Sequence, residues 1–263
     1  MHNSQKIEAV IFDWAGTTVD YGSMAPVQAF IDAFQEFGIT PTTDEVRGPM
    51  GIAKIDHVRA MLQMDRIRAQ WQQLYRHAPT EADVYAIYER SEQRILELLP
   101  NYAAPKPHTL EAVRALREMG VKIGSTTGSN DAMMEIVTAE AARRGYAPDA
   151  CFTPDSTDHA GRPYPFMIFR NMMALRVSSV AAVLKVGDTA ADIREGQNAG
   201  VATVGILEGS SVLGCSEAEF NALSEDAKAQ AKIRAAQVYQ SCGADYILDN
   251  LSGLPALIHR LQR

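Results

Sequence analysis

Cysteine is scarce in this chain and wrongly spaced for a structural role. Cys151, Cys215 and Cys242 are odd in number, far apart and free of any C-x-x-C pattern. That excludes a disulfide framework and a thiolate zinc site, and suits reduced thiols. Long apolar runs are missing too: none approaches the roughly 20 residues of a membrane-spanning helix, so no membrane contact is expected. Positive charge is in deficit, with 25 Lys and Arg against 32 Asp and Glu and a net charge of −7. A broad nucleic-acid surface is therefore not expected, and an anionic ligand needs local cations or a metal. The opening MHNSQK leads directly into an apolar run without the pattern of a secretory leader, which points to the cytoplasm. What the chain does have is length and apolar content: 263 residues at 46% hydrophobic can bury a large core in one or two domains.

Five short apolar runs read as buried strands: Ala9 to Phe12, Val121 to Ser125, Ala182 to Val186, Ala202 to Ile206 and Tyr246 to Leu248. Helical patterns lie between them, over Leu110 to Glu118, Asp131 to Arg144 and Asp192 to Ala199. Strands alternating with helices imply a parallel sheet with right-handed crossovers. Residues 21 to about 100 break the alternation. They carry amphipathic stretches over Ala25 to Phe37, Ile52 to Met64, Ile67 to Arg76 and Glu81 to Leu98, punctuated by Pro26, Pro49, Pro79 and Pro100. The expected fold is α/β, a Rossmann-like doubly wound parallel sheet with an inserted all-helical cap. Residues 1–20 and 101–263 form the core, 21–100 the cap, and "LPNYAAPKP" a linker. Residues 217 to 241, with alternating charges, read as a helical surface excursion.

Four groups of polar residues stand at or just past strand ends: Asp13, "STTGSN" (125–130), "GRPYP" (161–165) and "VGDTAAD" (186–192). Taken singly, each suits a helix cap or a plain turn. Parallel strands, however, bring their C-terminal ends to one edge of the sheet, where open α/β folds bind ligands. Together these residues supply Mg²⁺ ligands in Asp13 and Asp188, a hydroxyl and backbone donors at Thr127 and Gly128, and a guanidinium at Arg162. A hard cation with donors around it is the equipment of phosphoryl transfer.

These residues resemble the motifs of the haloacid-dehalogenase-like superfamily of Mg²⁺-dependent aspartyl phosphotransferases, over nearly the whole chain. The resemblance makes Asp13 the nucleophile of the first motif, Thr127 the hydroxyl of the second, and Asp188 with Asp192 the acidic fourth motif. Arg162 stands where most members carry lysine, and the helical insertion matches the cap.

Ala15 is the departure that matters. Phosphatases of the superfamily read D-x-D in the first motif, and the second aspartate protonates the leaving oxygen. Here the motif is D-W-A, and a methyl group gives no proton. General acid help is worth about a hundred- to ten-thousand-fold, so its loss cripples an ordinary phosphatase. The cap stretch "GPMGIAKIDHVRAM" (48–61) offers another device. On a helical wheel of about 100° per residue, Met50, Val58 and Met61 fall within roughly 40° of Lys54, and His57 about 60° to one side. Lys54 thus shares an apolar face, either snorkelling or desolvated enough to attack a carbonyl as the neutral amine. His57 is either a proton shuttle for imine formation or structural.

An imine explains Ala15, because a P–C bond beside an iminium breaks as an enamine leaves, with no acid needed. The stretches "IEAVIFDWAGTTVDYGSMAP", "GPMGIAKIDHVRA", "PTEADVYAIYER", "KIGSTTG", "GRPYP" and "KVGDTAADIREGQNAG" are similar to a branch of the superfamily that splits a two-carbon phosphonoaldehyde into aldehyde and phosphate during phosphonate degradation. The resemblance implies that Asp13 attacks phosphorus while Lys54 holds the imine and His57 assists. It further implies Mg²⁺ on Asp13, the Ala15 carbonyl and Asp188 with Asp192 behind them, and phosphonate oxygens on Thr127, Gly128 and Arg162. Met50 and His57 would line the cap side, and homodimers would form through the caps. Ser129 departs from the branch, which often has an aromatic residue there. The rival readings are a phosphatase or phosphomutase of the same fold, and a catalytically inactive phosphate-binding regulator.

Overall fold

The structure is a computed structural model describing residues 6–262; the opening MHNSQ, on which part of the leader reading rested, and Arg263 lie outside it. Six parallel strands form one sheet: β1 (Ala9–Phe12), β2 (Lys122–Thr126), β3 (Ala150–Phe152), β4 (Val183–Gly187), β5 (Ala202–Ile206) and β6 (Tyr246–Leu248). Their order is β3-β2-β1-β4-β5-β6, the doubly wound arrangement expected. The order reverses between β1 and β4, so the crevice of the fold opens beyond Phe12 and Gly187.

The two-residue period of a strand decides which side chains meet which helices. Val10 and Phe12 face one side of the sheet, in a core with Ile123, Val204 and Ile206. Ala9 and Ile11 face the other, against Ile168 and Met172. Helices cover both faces: α6 (Thr109–Glu118), α7 (Asp131–Arg143), α8 (Phe166–Ala174), α9 (Ala190–Ala199), α11 (Glu225–Ser241) and α12 (Leu254–Leu261), with the short α10 (Glu217–Ala222) before α11. Between β1 and α6 come α1 (Met24–Glu36), α2 (Thr43–Arg47), α3 (Lys54–Gln63), α4 (Asp65–Tyr75) and α5 (Glu81–Tyr102). They bury an apolar cluster of their own, Phe30, Phe34, Met61, Leu62 and Trp71 among its members. Among the described residues no helix is long and apolar enough to cross a membrane.

The structure corrects two sequence expectations and adds two elements the sequence did not signal. The stretch read as the linker "LPNYAAPKP" is helical as far as Tyr102, with Pro100 inside α5. Proline in the last turn forfeits one hydrogen bond, but Leu99 and Ala103 seat themselves in the sheet core beside it. Strand β3 has only three half-buried residues and no distinct apolar run, so it gave no sequence signal. Helix α8 follows the proline-rich "GRPYP" and was passed over, although Met167, Ile168 and Met172 bury a full face. Helix α3 starts at Lys54, so Met50 precedes it and shares no helical face with Lys54.

Candidate active site

Asp13 leaves β1 at the crevice, 6% exposed, its backbone N–H donating to the Val186 carbonyl at 2.9 Å. Asp188, fully buried, leaves the adjacent β4 one residue past its end. Its carboxylate accepts from Thr17 Oγ1 at 3.1 Å and from the Ser211 N–H at 2.7 Å. Asp192 lies one turn into α9, in a capping box with Thr189. Ligand atoms of Asp13, Asp188 and Asp192 all lie within 4.8 Å of one another.

Three carboxylates so close need positive charge, and the protein provides it unevenly. Arg162 reaches Asp13 Oδ1 with Nη2 at 2.7 Å, Asp192 Oδ1 with Nη1 at 3.0 Å and Glu195 Oε2 with Nε at 2.9 Å. Its remaining N–H groups go to Thr126 Oγ1 at 2.8 Å and the Gly51 carbonyl at 3.2 Å. The guanidinium thus makes hydrogen bonds to Glu195, Thr126 and the Gly51 carbonyl, while Asp13 and Asp192 are held as ion pairs. Lys185, buried in β4, adds a second cation at 2.8 Å from Asp192 Oδ1 and 3.2 Å from Glu195 Oε2. Burial works against the Asp192 charge, yet Arg162 and Lys185 outweigh it and hold that carboxylate below its usual range. Asp188 has only hydroxyl and amide donors; burial first, then repulsion from Asp13 and Asp192, pushes it up to about 7. Asp13 is raised too, by burial and by Asp192, against the pull of Arg162 and Lys185.

This uneven pairing fits a metal ion between Asp13 and Asp188 rather than on Asp192. Hard oxygen donors suit a hard divalent cation. Gly16, at φ +88°, keeps the space open, since a Cβ there would fall 2.1 Å from Asp188 Oδ2. Lys106 braces the same turn, donating to the carbonyls of Gly16 and Glu208, the latter at 2.8 Å. Tyr239 of α11 braces β4, its hydroxyl 2.8 Å from the carbonyl oxygens of Asp188 and Ile206.

The second-motif loop meets the helical insertion directly. A Cβ on Gly128 would lie 2.4 Å from the Ile52 carbonyl, so only glycine lets the two backbones approach this closely. Thr127 is 4% exposed, and its Oγ1 accepts the Ser129 N–H at 3.1 Å. Lys54, the first residue of α3, faces two cavities. One is an open cleft of about 510 Å³ shared with Arg59, Tyr85, Tyr88, Gly128 and Asn130. The other is an inner space shared with Ala15 and Thr127. Desolvation lowers the ammonium to about 8, with Asp13 pulling the other way. About a tenth of the amine is therefore neutral at pH 7, far more than for an ordinary lysine.

Not every expected residue joins this group. Met50, 6% exposed, packs in the core of the helical insertion and faces neither of these two cavities. His57 is fully buried and stacked on Phe30, with Nε2 2.8 Å from the Val46 carbonyl. Burial, and then the neighbouring Lys54 charge, depress it to about 3, so the ring is neutral. Sequence reading missed Lys185, Glu195, Lys106 and Tyr239. Lysine inside the apolar run Ala182 to Val186 was a visible signal, because an ionised side chain in a buried strand requires partners.

A carboxylate on a strand end, balanced by a buried guanidinium, a candidate cation site and a desolvated amine opposite, defines a phosphoryl-transfer hydrolase. The chain belongs to the haloacid dehalogenase-like hydrolase family, which residues 7–200 match. Within it, kinship is with the phosphonoacetaldehyde hydrolases. The chain is 47% identical to that enzyme of Lysinibacillus sphaericus over 256 residues, covering 97% of this chain and 95% of the relative. Against the Bacillus cereus enzyme the figures are 45% over 259 residues, 98% and 97%. The crystal structure of a phosphonoacetaldehyde hydrolase-like protein from Oleispira antarctica superposes with a TM-score of 0.95 at 34% identity. It covers 99% of this chain and 94% of that one.

Proposed function

We propose that the chain hydrolyses the carbon–phosphorus bond of phosphonoacetaldehyde to acetaldehyde and phosphate. The observation that carries the mechanism is Lys54, a partly desolvated amine bordering the same inner cavity as Ala15 and Thr127. Lys54 condenses with the aldehyde and water leaves. Neutral His57, its Nε2 engaged by Val46, keeps the amine's surroundings free of a second positive charge. Asp13 then attacks phosphorus, the P–C bond breaks, and its electron pair moves into the iminium to give an enamine. Protonation at carbon and hydrolysis of the imine release acetaldehyde. A second water cleaves the aspartyl-phosphate.

Arg162 positions Asp13 and favours its charged form until substrate arrives, and exchanges its Asp13 contact for a phosphonate oxygen. Thr127 and the Gly128 N–H donate to the other oxygens. Mg²⁺ is the proposed cation; Asp13, the Ala15 carbonyl and Asp188 would hold it, and it would supply neutralisation of charge on the phosphonate and on Asp13. Asp192 stands behind, orienting Arg162 and Lys185. Residues 21–100 act as a cap that brings Lys54 over the core. A homodimer through that cap is part of the same reading. Reduced cysteines support a cytoplasmic enzyme.

The test is incubation with phosphonoacetaldehyde and Mg²⁺, measuring acetaldehyde and phosphate, with an EDTA-treated sample alongside. Equimolar products that disappear with EDTA and return with Mg²⁺ are expected. No phosphate with Mg²⁺ present would refute the assignment.

A further inference from the structure

The inner cavity bordered by Ala15, Lys54 and Thr127 has a volume of about 30 Å³. That is room for a water molecule or for one or two carbon atoms. Its walls are largely apolar: Ile95 and Leu99 come from α5 and Val137 from α7, with exposures of 1%, 9% and 5%. Ser129 borders it with a side chain too short to fill it. Asp20 is on the lining as well, its carboxylate occupied by the N–H groups of Met24 and Ala25 at 2.9 and 3.1 Å. We propose that this cavity is a subsite for a small uncharged alkyl group on the carbon that joins phosphorus to the aldehyde.

The placement rests on the reaction proposed above. Phosphorus sits at Asp13 and Thr127 and the imine carbon at Lys54, so the joining carbon spans the gap beside Ala15. Ala15, Lys54 and Thr127 all line the cavity, so the joining carbon borders it. One hydrogen of that carbon therefore faces the space between Ile95, Leu99 and Val137, and a methyl group in its place fits the volume. A carboxylate does not belong there, because the walls are apolar, Asp20 repels a second anion and Lys54 is committed to the imine. The chemical class is thus a 2-alkyl phosphonoaldehyde such as 2-phosphonopropanal.

The steps balance as for the unbranched substrate. Lys54 condenses with the aldehyde and releases one water. The P–O bond to Asp13 forms as the P–C bond breaks, and the electron pair enters the enamine. A proton and one water then release propanal and the free amine, and a second water releases phosphate from Asp13.

The experiment compares kcat/KM for 2-phosphonopropanal and phosphonoacetaldehyde with Mg²⁺, following aldehyde and phosphate. The branched substrate should be processed within about tenfold of the parent, since one methylene in an apolar pocket is discriminated on that scale. Val137→Leu adds one methylene to the wall and should cut the branched-to-parent ratio about tenfold. Ser129→Val fills the space from another side and should do the same, which keeps the test available if Val137→Leu folds poorly. A larger deficit in the unmodified enzyme, or a ratio that stays put in the folded variants, overturns the subsite while turnover of the parent leaves the functional reading standing. Turnover of neither substrate overturns both.

Discussion

Arg162 Nη2 and Asp13 Oδ1 lie 2.7 Å apart, with the guanidinium 0% and the carboxylate 8% exposed. In so dry a setting the pair is held by geometry and by further partners rather than by water. The same guanidinium serves Asp192 and Glu195, so the position of Asp13 depends on acids and bases from β4, α9 and the "GRPYP" loop together.

Asp13→Asn keeps the shape of the side chain and an oxygen for Arg162 but removes the carboxylate proposed as nucleophile. Phosphate release should vanish, whereas Lys54 lies on a different element and should still condense with aldehyde. Borohydride reduction with substrate, followed by peptide mass measurement, should show a two-carbon adduct on Lys54. Phosphate release at a tenth of the normal rate would exclude Asp13 as nucleophile.

Lys54 sets the pH dependence. Its ammonium has no lone pair, and its pKa is lowered to about 8. Below that value kcat/KM should rise about tenfold per pH unit, levelling above it, because only the neutral amine attacks. Lys54→Arg should abolish activity and trapping, since a guanidinium stays protonated. A pH profile flat from 6 to 9 would contradict an amine nucleophile.

Lys185 is buried with Asp192 Oδ1 at 2.8 Å and Glu195 Oε2 at 3.2 Å. Lys185→Met leaves Arg162 to supply the positive charge for both acids. Removing one member of a buried ion pair costs about 3–5 kcal/mol, so the melting temperature should fall by many degrees. An unchanged melting curve would mean that Lys185 carries no weight in this network.

Ala15 predicts selectivity by leaving group. Sugar phosphates should be hydrolysed poorly, because their alkoxide needs a proton that a methyl group cannot give. The deficit should reach about a hundred- to ten-thousand-fold, the worth of general acid help. Ala15→Asp should also impair the native reaction, adding bulk and charge beside the inner cavity. Equal catalytic efficiency on a sugar phosphate and on phosphonoacetaldehyde would contradict the role given to Lys54.

The sequence by itself determined the parallel sheet, the helical insertion and the residues at the strand ends, because each is a local signal. Apolar runs of four or five residues ending in Asp13, Thr127 or Asp188 need no distant information to be read. The small side chain at Ala15 and the lysine after "GPMGIA" were equally plain. Only the tertiary structure decided how the charges are shared. Arg162, Lys185, Asp192 and Glu195 are ordinary charged residues along the chain, and become one network when α9 packs beside β4. His57 was legible as a residue near Lys54, but its neutral state follows from burial against Phe30 and the Lys54 charge, with the Val46 carbonyl pulling the other way. Pro100 reads locally as a break, yet α5 passes through it because Leu99 and Ala103 find the sheet core. Local sequence sets where chain elements start and what they carry. Burial and ion pairing depend on which surfaces meet, and that information is spread over the whole chain.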